Sequence, residues 1–196
     1  MGDKVSPEEQ VRDFTRSCVR SGLLSQSEVL DEVVLAIESE LPDRADESRE
    51  LAGIWVAEAR DALVHDQGNW PEASDYDRLQ TAFAELEMAD VAVLQGCDDH
   101  WSAKAELERR TAEDRRPRGI AWFTRSDVWH AVDEGMLEVN LWHATTANVA
   151  LGDEMLDDVI VVLKKHGLES HFGEGRIEVS AHWQKRIAAW SDEPDA

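Results

Sequence analysis

Apolar residues in the first ninety positions recur every three or four places, the period of helices with one buried face. Val11, Phe14, Cys18 and Val19 form the first stripe. Ser6-Pro7-Glu8-Glu9 precedes it in the order of a capping box with proline in the first turn, and Gly22 closes it. Ser25 and Glu28 repeat the capping signal ahead of Val29, Leu30, Val33, Val34 and Ile37, and Leu41-Pro42 ends that run. The spacing predicts a third helix over 45–65, a loop in "DQGNWPEAS" and a fourth helix over 75–90 with Leu79, Phe83 and Leu86 on one face.

From Val91 the pattern changes. "VAVL" and "GIAWF" are short continuous apolar strands, separated by a helix over 101–116 that Pro117 stops. "SDVWHAVDEG" predicts a short helix capped by Ser126 and ended by Gly135, with Val128, Trp129 and Val132 inward and His130 outward. "MLEVNL" alternates, Leu137, Val139 and Leu141 on one side and Glu138 and Asn140 on the other. "DEMLDDVIVVLKKHG" is an amphipathic helix with Lys164, Lys165 and His166 in its last turn, where the dipole favours cations. A hairpin follows, with "LESHF", a "GEG" turn, and "RIEVSAHW" carrying Ile177, Val179, Ala181 and Trp183 on one side. The pattern predicts an α+β protein. A helical portion fills 1–70, a β-α-β-α-β-α-β-β unit forms a mixed sheet with packed helices over 71–190, and 191–196 is a disordered tail.

Charge narrows the classes of partner. The net charge is −22; residues 1–90 hold 22 acids against 8 bases, and the remainder 20 against 12. Such a surface repels nucleic acid and anionic lipid, so neither direct nucleic-acid binding nor membrane binding is expected. It either serves solubility alone or attracts a basic protein partner at low salt, and mimicry of nucleic acid by carboxylates is a special case of the second. The segment "RRTAEDRRPR" runs against the trend. It reads as the solvated end of a helix, with an anion cradle of arginine forks as the alternative. The first ten residues have neither the basic start nor the apolar stretch of a signal peptide, and Asp157 and Asp158 interrupt the apolar run "MLDDVIVVL". Two cysteines, Cys18 and Cys97, do not make a disulfide framework, so a reduced, cytoplasmic protein is expected.

Three stretches carry a resemblance: "DYDRLQTAFAELEMADVAVLQG", "RGIAWFTRSDVWHAVDEGMLEVNLW" and "HGLESHFGEGRIEV". They are similar to a bacterial family filed as a domain of unknown function, over roughly residues 70–186. The shared features are a helix with Asp75, Asp77, Arg78 and Leu79, an aromatic strand near Trp122 and Phe123 leading to Asp127, and a strand approached through Gly135. The chain departs in having only Cys97 where members carry several cysteines, and "DEGM" where they are richer in glycine. The resemblance implies domain boundaries and brings no activity.

Tryptophan stands beside histidine four times, in His100-Trp101, Trp129-His130, Trp142-His143 and His182-Trp183. Shuffling the 8 Trp and 7 His would give about 0.6 such neighbours. Packing explains three of the four. In the hairpin Trp183 points inward and sends His182 outward, where His171 on the partner strand has the same parity. Trp142-His143 is the exception, because alternation puts the tryptophan with Glu138 and Asn140 and the histidine with Leu141. Either the strand ends or bulges there, or an aromatic lies on the polar face beside a half-buried histidine. The loop "ATTANVALG" leaves that strand end, so the candidate binding residues are Trp142, His143 and Thr145, with Cys97 across the sheet. Cys97 lies between a strand and a helix, where the dipole lowers a thiol pKa, but Asp98 and Asp99 oppose that. No catalytic residue, metal ligand set or cofactor-binding fingerprint is present: there is no His-Glu-x-x-His, Cys-x-x-Cys, Gly-x-Ser-x-Gly or phosphate-binding glycine loop. The expected function is a non-catalytic protein–protein interaction or regulatory module. The alternative is a small ligand-binding protein or enzyme with a pocket near Trp142–Thr145.

Overall fold

A computed structural model describes residues 5–113 and 116–187. The chain divides into two compact units, one of Met1–Pro71 with Gln184–Ala196 and the other of Glu72–Trp183. The expected tail at 191–196 lies outside the described residues.

The first unit is built on three α-helices: α1 (Pro7–Ser21), α2 (Gln26–Glu40) and α3 (Ser48–Gln67), with a 3-10 turn at Pro42–Glu47. Both expected capping boxes form. Ser6 Oγ accepts from Glu9 N at 3.2 Å while the Glu9 carboxylate accepts from Ser6 N at 2.8 Å, and Ser25 with Glu28 does the same. Gly22 ends α1 in the left-handed region at φ 58°. Val11, Cys18 and Val19 meet Val29, Val33 and Ile37 and the α3 residues Leu51, Trp55, Val56 and Leu63 in the buried set. Leu30 and Val34 are only half-buried, so the inward stripe of α2 is narrower than its hydrophobicity predicts. After Gln184 the chain is tied to this unit by Lys185 Nζ donating to Gly22 O (2.9 Å) and Ile187 N donating to Gln67 Oε1 (2.9 Å).

The second unit begins with α4 (Asp75–Met88), capped by Ser74 and Asp77. It continues β1 (Val91–Cys97), α5 (His100–Ala112), β2 (Gly119–Thr124), α6 (Arg125–Asp133), β3 (Met136–His143), α7 (Glu154–Lys165), β4 (Ser170–Gly173) and β5 (Arg176–Ser180). The sheet order is β1-β2-β3-β5-β4; β1 and β2 are parallel and the other pairs antiparallel. This is the expected α+β architecture, a helical N-terminal portion and then a five-stranded mixed sheet with helices packed on it. The β4–β5 turn uses Glu174 (φ 51°) and Gly175 (φ 84°), the double positive φ of a type I′ hairpin whose twist matches the strands.

Strand β2 is buried on both faces, and its two parities separate the layers. Phe123 packs on Phe83 of α4 (ring centroids 5.8 Å) and on Trp183 (5.9 Å). Ile120 and Trp122 face the other way, into a cluster with Ala103 and Leu107 of α5. Three expectations are corrected. Helix α5 ends at Ala112 with Glu113 as its cap, so Pro117 lies beyond the end and does not stop it; positions 114 and 115 of the expected helix lie outside the described residues. The cap of α6 is Thr124, not Ser126. Thr124-x-x-Asp127 closes a reciprocal box, with Asp127 Oδ2 accepting from Thr124 N at 2.7 Å, and that box outcompetes a lone hydroxyl two residues later. The buried face of α6 is Asp127, Val128 and Ala131, leaving Trp129 and Val132 half-buried, because the chain at Trp183 passes close enough to donate its N–H to Ala131 O (3.0 Å). Among the described residues no helix is long and apolar enough to cross a membrane.

Candidate functional site

Strand β3 keeps strict alternation to its end, with Leu137, Val139 and Leu141 buried. The strand ends at His143 without a bulge, and there an aromatic lies on the polar parity beside a half-buried histidine, so the strand-end reading and the aromatic reading of Trp142-His143 hold together. His143 shares Leu141's face. Its Nε2 lies 3.1 Å from Asp153 Oδ2, and its side chain is 37% exposed. A tight turn follows, with His143 N donating to Ala147 O and Thr146 N to His143 O, both at 2.8 Å, and Thr146 at φ 66°. Thr145 is exposed in that turn. Asp153 is the N-cap residue of α7, but its side chain makes no capping bond, because its carboxylate is taken by Ala150 N (2.7 Å) and His143. The Ala150 N–H, and then the His143 ring, hold that carboxyl below its ordinary pKa.

Trp142 points the opposite way. It sits across from Ile120, with its ring 4.9 Å from that of Trp122 at 69°. Cys97 belongs to the same apolar cluster, with Ala92, Ala103, Leu107 and Ile120. The Cys97 thiol donates to Phe123 O (3.4 Å) and Asp99 O (3.5 Å), and burial pushes its pKa up to about 11, with Asp127, Asp98 and Asp99 adding to the rise. The residue that meets the amide donors of α5 is Asp99, which accepts from Trp101 N (2.9 Å) and Ser102 N (3.1 Å). Of the four candidates, then, the fold brings Cys97 and Trp142 together under α5, places His143 on the other face, and leaves Thr145 in the turn.

The remaining histidines are dispersed. His171 lies opposite Glu178 with Nε2 to Oε2 at 3.3 Å, whereas the His182 N–H donates to Asp75 Oδ2 (3.2 Å) and its ring covers Gly135. The two do not meet on one hairpin face. His166 joins Lys165 on Glu85, at 2.8 Å and 2.7 Å, clamping α7 to α4; the Lys165 and then the His166 bonds lower the Glu85 pKa. No short-range signal reveals this triad, since 81 residues separate its ends. In the basic segment Arg109 bonds Glu106 and Glu113, Arg110 bonds Glu106 and Glu87, and Arg118 bonds Asp158. Arg109 and Arg110 are thus ion-paired in the last turn of α5 and Arg118 beyond its end, while Arg115 lies outside the described residues. Among the described residues no three His, Cys, Asp or Glu side chains are grouped to hold a metal ion.

The comparisons with known proteins add one finding. No curated protein and no solved structure matches the chain. A family model matches residues 4–187, extending the likeness seen over 70–186 into the N-terminal helices, and the chain belongs to the family described as Domain of unknown function (DUF6891).

Proposed function

We propose that the protein is a cytoplasmic, non-catalytic interaction module that engages a basic protein partner through its acidic surface. The observation that carries this reading is the fate of the cations. Arg12, Arg44, Arg78, Arg110, Arg118 and Lys165 each bond to a carboxylate of their own unit, as Arg16 does to Asp13 and Arg20 to Asp66. These cations are thereby neutralised within the chain, and with 42 acids against 20 bases a surplus of carboxylates is left for its surroundings. On α3, for example, Glu50 and Asp61 lie a turn from Ile54 and Val64, which are 46% and 52% exposed. Two further features fit a module without chemistry. The Cys97 thiol is buried and protonated, and among the described residues no hydroxyl or thiol bonds the His143 ring. The test is capture on the immobilised full chain. A discrete basic polypeptide should bind saturably at about 50 mM salt and elute by about 300 mM, with His143→Ala capturing it equally. Absence of any saturable basic partner overturns the proposal.

The alternative, a small ligand-binding protein or enzyme near Trp142–Thr145, has one observation in its favour. His143 is held by Asp153 at a strand end with its ring part-exposed. That reading expects a thermal shift with a small molecule or metal, abolished by His143→Ala.

A further inference from the structure

We propose that the outward face of α3 binds the same face of a second copy of the chain, the two helices running antiparallel about a two-fold axis. The core takes Leu51, Trp55, Val56, Ala59 and Leu63 of this helix. The opposite face carries Gly53, Ile54, Ala57 and Val64, all exposed. Single apolar residues on a surface need no explanation, but these share one helix face with two features that folding does not account for.

The first is Gly53. Inside a 20-residue helix a glycine is less stabilising than an alanine. A Cβ added there would meet nothing within 4 Å, and its φ is not positive, so neither packing nor a turn requires the missing side chain. What the glycine provides is a place, one turn from Ala57, where another helix can approach closely. The second is Arg60. Arg12, Arg20 and Arg44 of the same unit each meet a carboxylate. Arg60 is half-buried between Ala57 and Val64 on this face, yet among the described residues it has neither an ion pair nor a hydrogen bond, and its Nε is buried without an acceptor.

The positions are complementary to themselves. Glu50, Gly53, Ala57 and Arg60 stand symmetrically about position 55, with opposite charges at the two ends. Glu50 is exposed and has no cation among the described residues. Arg60 lies about 15 Å further along the helix, too far for a bond within one chain. An antiparallel copy meets both needs: Gly53 faces Ala57 of the second copy, Glu50 faces its Arg60, and the two-fold axis repeats each contact. Ile54 is covered beside the Gly53–Ala57 contact. A parallel copy would set Glu50 on Glu50 and Arg60 on Arg60 and be repelled. Each chain carries a net charge of −22, which opposes any pairing of copies at long range. At physiological salt that repulsion is screened beyond about 8 Å, whereas the groups that touch are not. The inference goes beyond the interaction reading above and does not depend on it.

One helix face per copy is a small interface of the weak, transient class, so the test is sedimentation velocity of the full chain over about 5–500 µM at about 150 mM salt. The wild type should pass from monomer to dimer across that range. Glu50→Arg alone and Arg60→Glu alone each bring like charges together and should weaken association at least about tenfold. An equimolar mixture of those two variants should dimerise as the wild type does, because each arginine then meets a glutamate of the other chain. Gly53→Gln should weaken association to a similar degree by filling the contact. Its Cβ meets nothing within 4 Å in the single chain and glutamine favours helix, so at about 5 µM it should melt at the wild-type temperature or above. Lost association is then not lost folding. A wild type that stays monomeric to about 500 µM overturns the proposal. So does a mixture that fails to recover, or a Gly53→Gln variant that associates like the wild type, since either result puts the contact on another face.

Discussion

Glu106 is the carboxylate most strongly committed to its surroundings, and removing its charge gives a quantitative test of the network on α5. Its side chain is 16% exposed and accepts from Arg109 Nε (2.8 Å), Arg109 Nη2 (2.7 Å) and Arg110 Nε (2.7 Å). The Arg109 bonds, reinforced by Arg110 and outweighing the cost of burial, bring its pKa down to about 2 from an ordinary 4.5. A shift of that size corresponds to about 3 kcal/mol at neutral pH. Arg109 is 53% exposed and the pairs are local on one helix, so solvent screening and residual helix in the unfolded chain reduce the expectation to about 1–2 kcal/mol. The sign follows from the lowered folded-state pKa: the stabilisation is complete above the unfolded value of 4.5 and is lost as pH falls toward 2. Glu106→Gln should therefore lower the urea midpoint, with m unchanged, by an amount equivalent to about 1–2 kcal/mol between pH 6 and 8. The gap to wild type should fall below about half by pH 3, since protonation of the unfolded chain then removes most of the advantage. A gap that is the same at pH 7 and pH 3 would mean that side-chain packing and not the charge is responsible, and the reasoning fails.

Three further outcomes follow from the same structure. With the Cys97 pKa at about 11, only about one molecule in ten thousand carries the thiolate at pH 7, so peptide mapping after native iodoacetamide treatment should find Cys97 unlabelled and 8 M urea should expose it; prompt native labelling would contradict the burial. Thr124→Ala should cost about 1 kcal/mol by opening the α6 box, whereas Ser126→Ala should cost less than about half of that in the same denaturation assay; equal costs would show that the box does not set the cap. Glu87 accepts the Val93 N–H of edge strand β1 at 2.7 Å and is gripped by Arg110 at 2.5 and 2.9 Å, so Glu87→Leu should destabilise by about 2 kcal/mol and, by baring the strand edge, raise concentration-dependent association above that of the wild type in light scattering; a variant as stable as wild type and no more associated would refute that role.

Much of this architecture is legible from local rules. The boxes at Ser6 and Ser25, the alternation of Leu137, Val139 and Leu141, and that of Ile177, Val179, Ala181 and Trp183 each need only a few neighbouring residues. What sequence hides is the identity of the second layer. A continuous run such as "GIAWF" is apolar on both parities, so it does not say that Phe123 meets α4 while Trp122 meets α5. The environment of Trp142 follows from that assignment. It stands on the parity of Glu138 and Asn140, yet it is half-buried because it lies across from Ile120 at the margin of the cluster beneath α5. Cys97 is placed by the same layer, and Asp99, the cap of α5, takes the helix-start position that spacing alone offered to the thiol. The Glu85–His166 clamp joins residues far apart along the chain, and only the packing of α4 on α7 creates it.

The tryptophan–histidine neighbours show where chemistry should and should not be sought. On β3 the alternation of a strand sends Trp142 and His143 to opposite sides, and both sides are partly covered; beyond β5 the same rule buries Trp183 and exposes His182. At the start of α5 His100 and Trp101 are simply adjacent and exposed, their rings 4.7 Å apart with Lys104 over the indole. Local packing thus gives one sequence pattern in different settings, and the imidazoles of His143, His166, His171 and His182 end on Asp153, on Glu85, on Glu178 and over Gly135, with no common centre. Features that packing accounts for carry little information about function. The features that cost stability without a structural return carry more, because selection for folding alone removes them. By that measure the buried indole N–H of Trp122, which has no acceptor among the described residues, stands out more than any of the histidines, whereas the opposed carboxylates of Glu138 and Glu178 do not, since Arg176 and His171 each neutralise one of them.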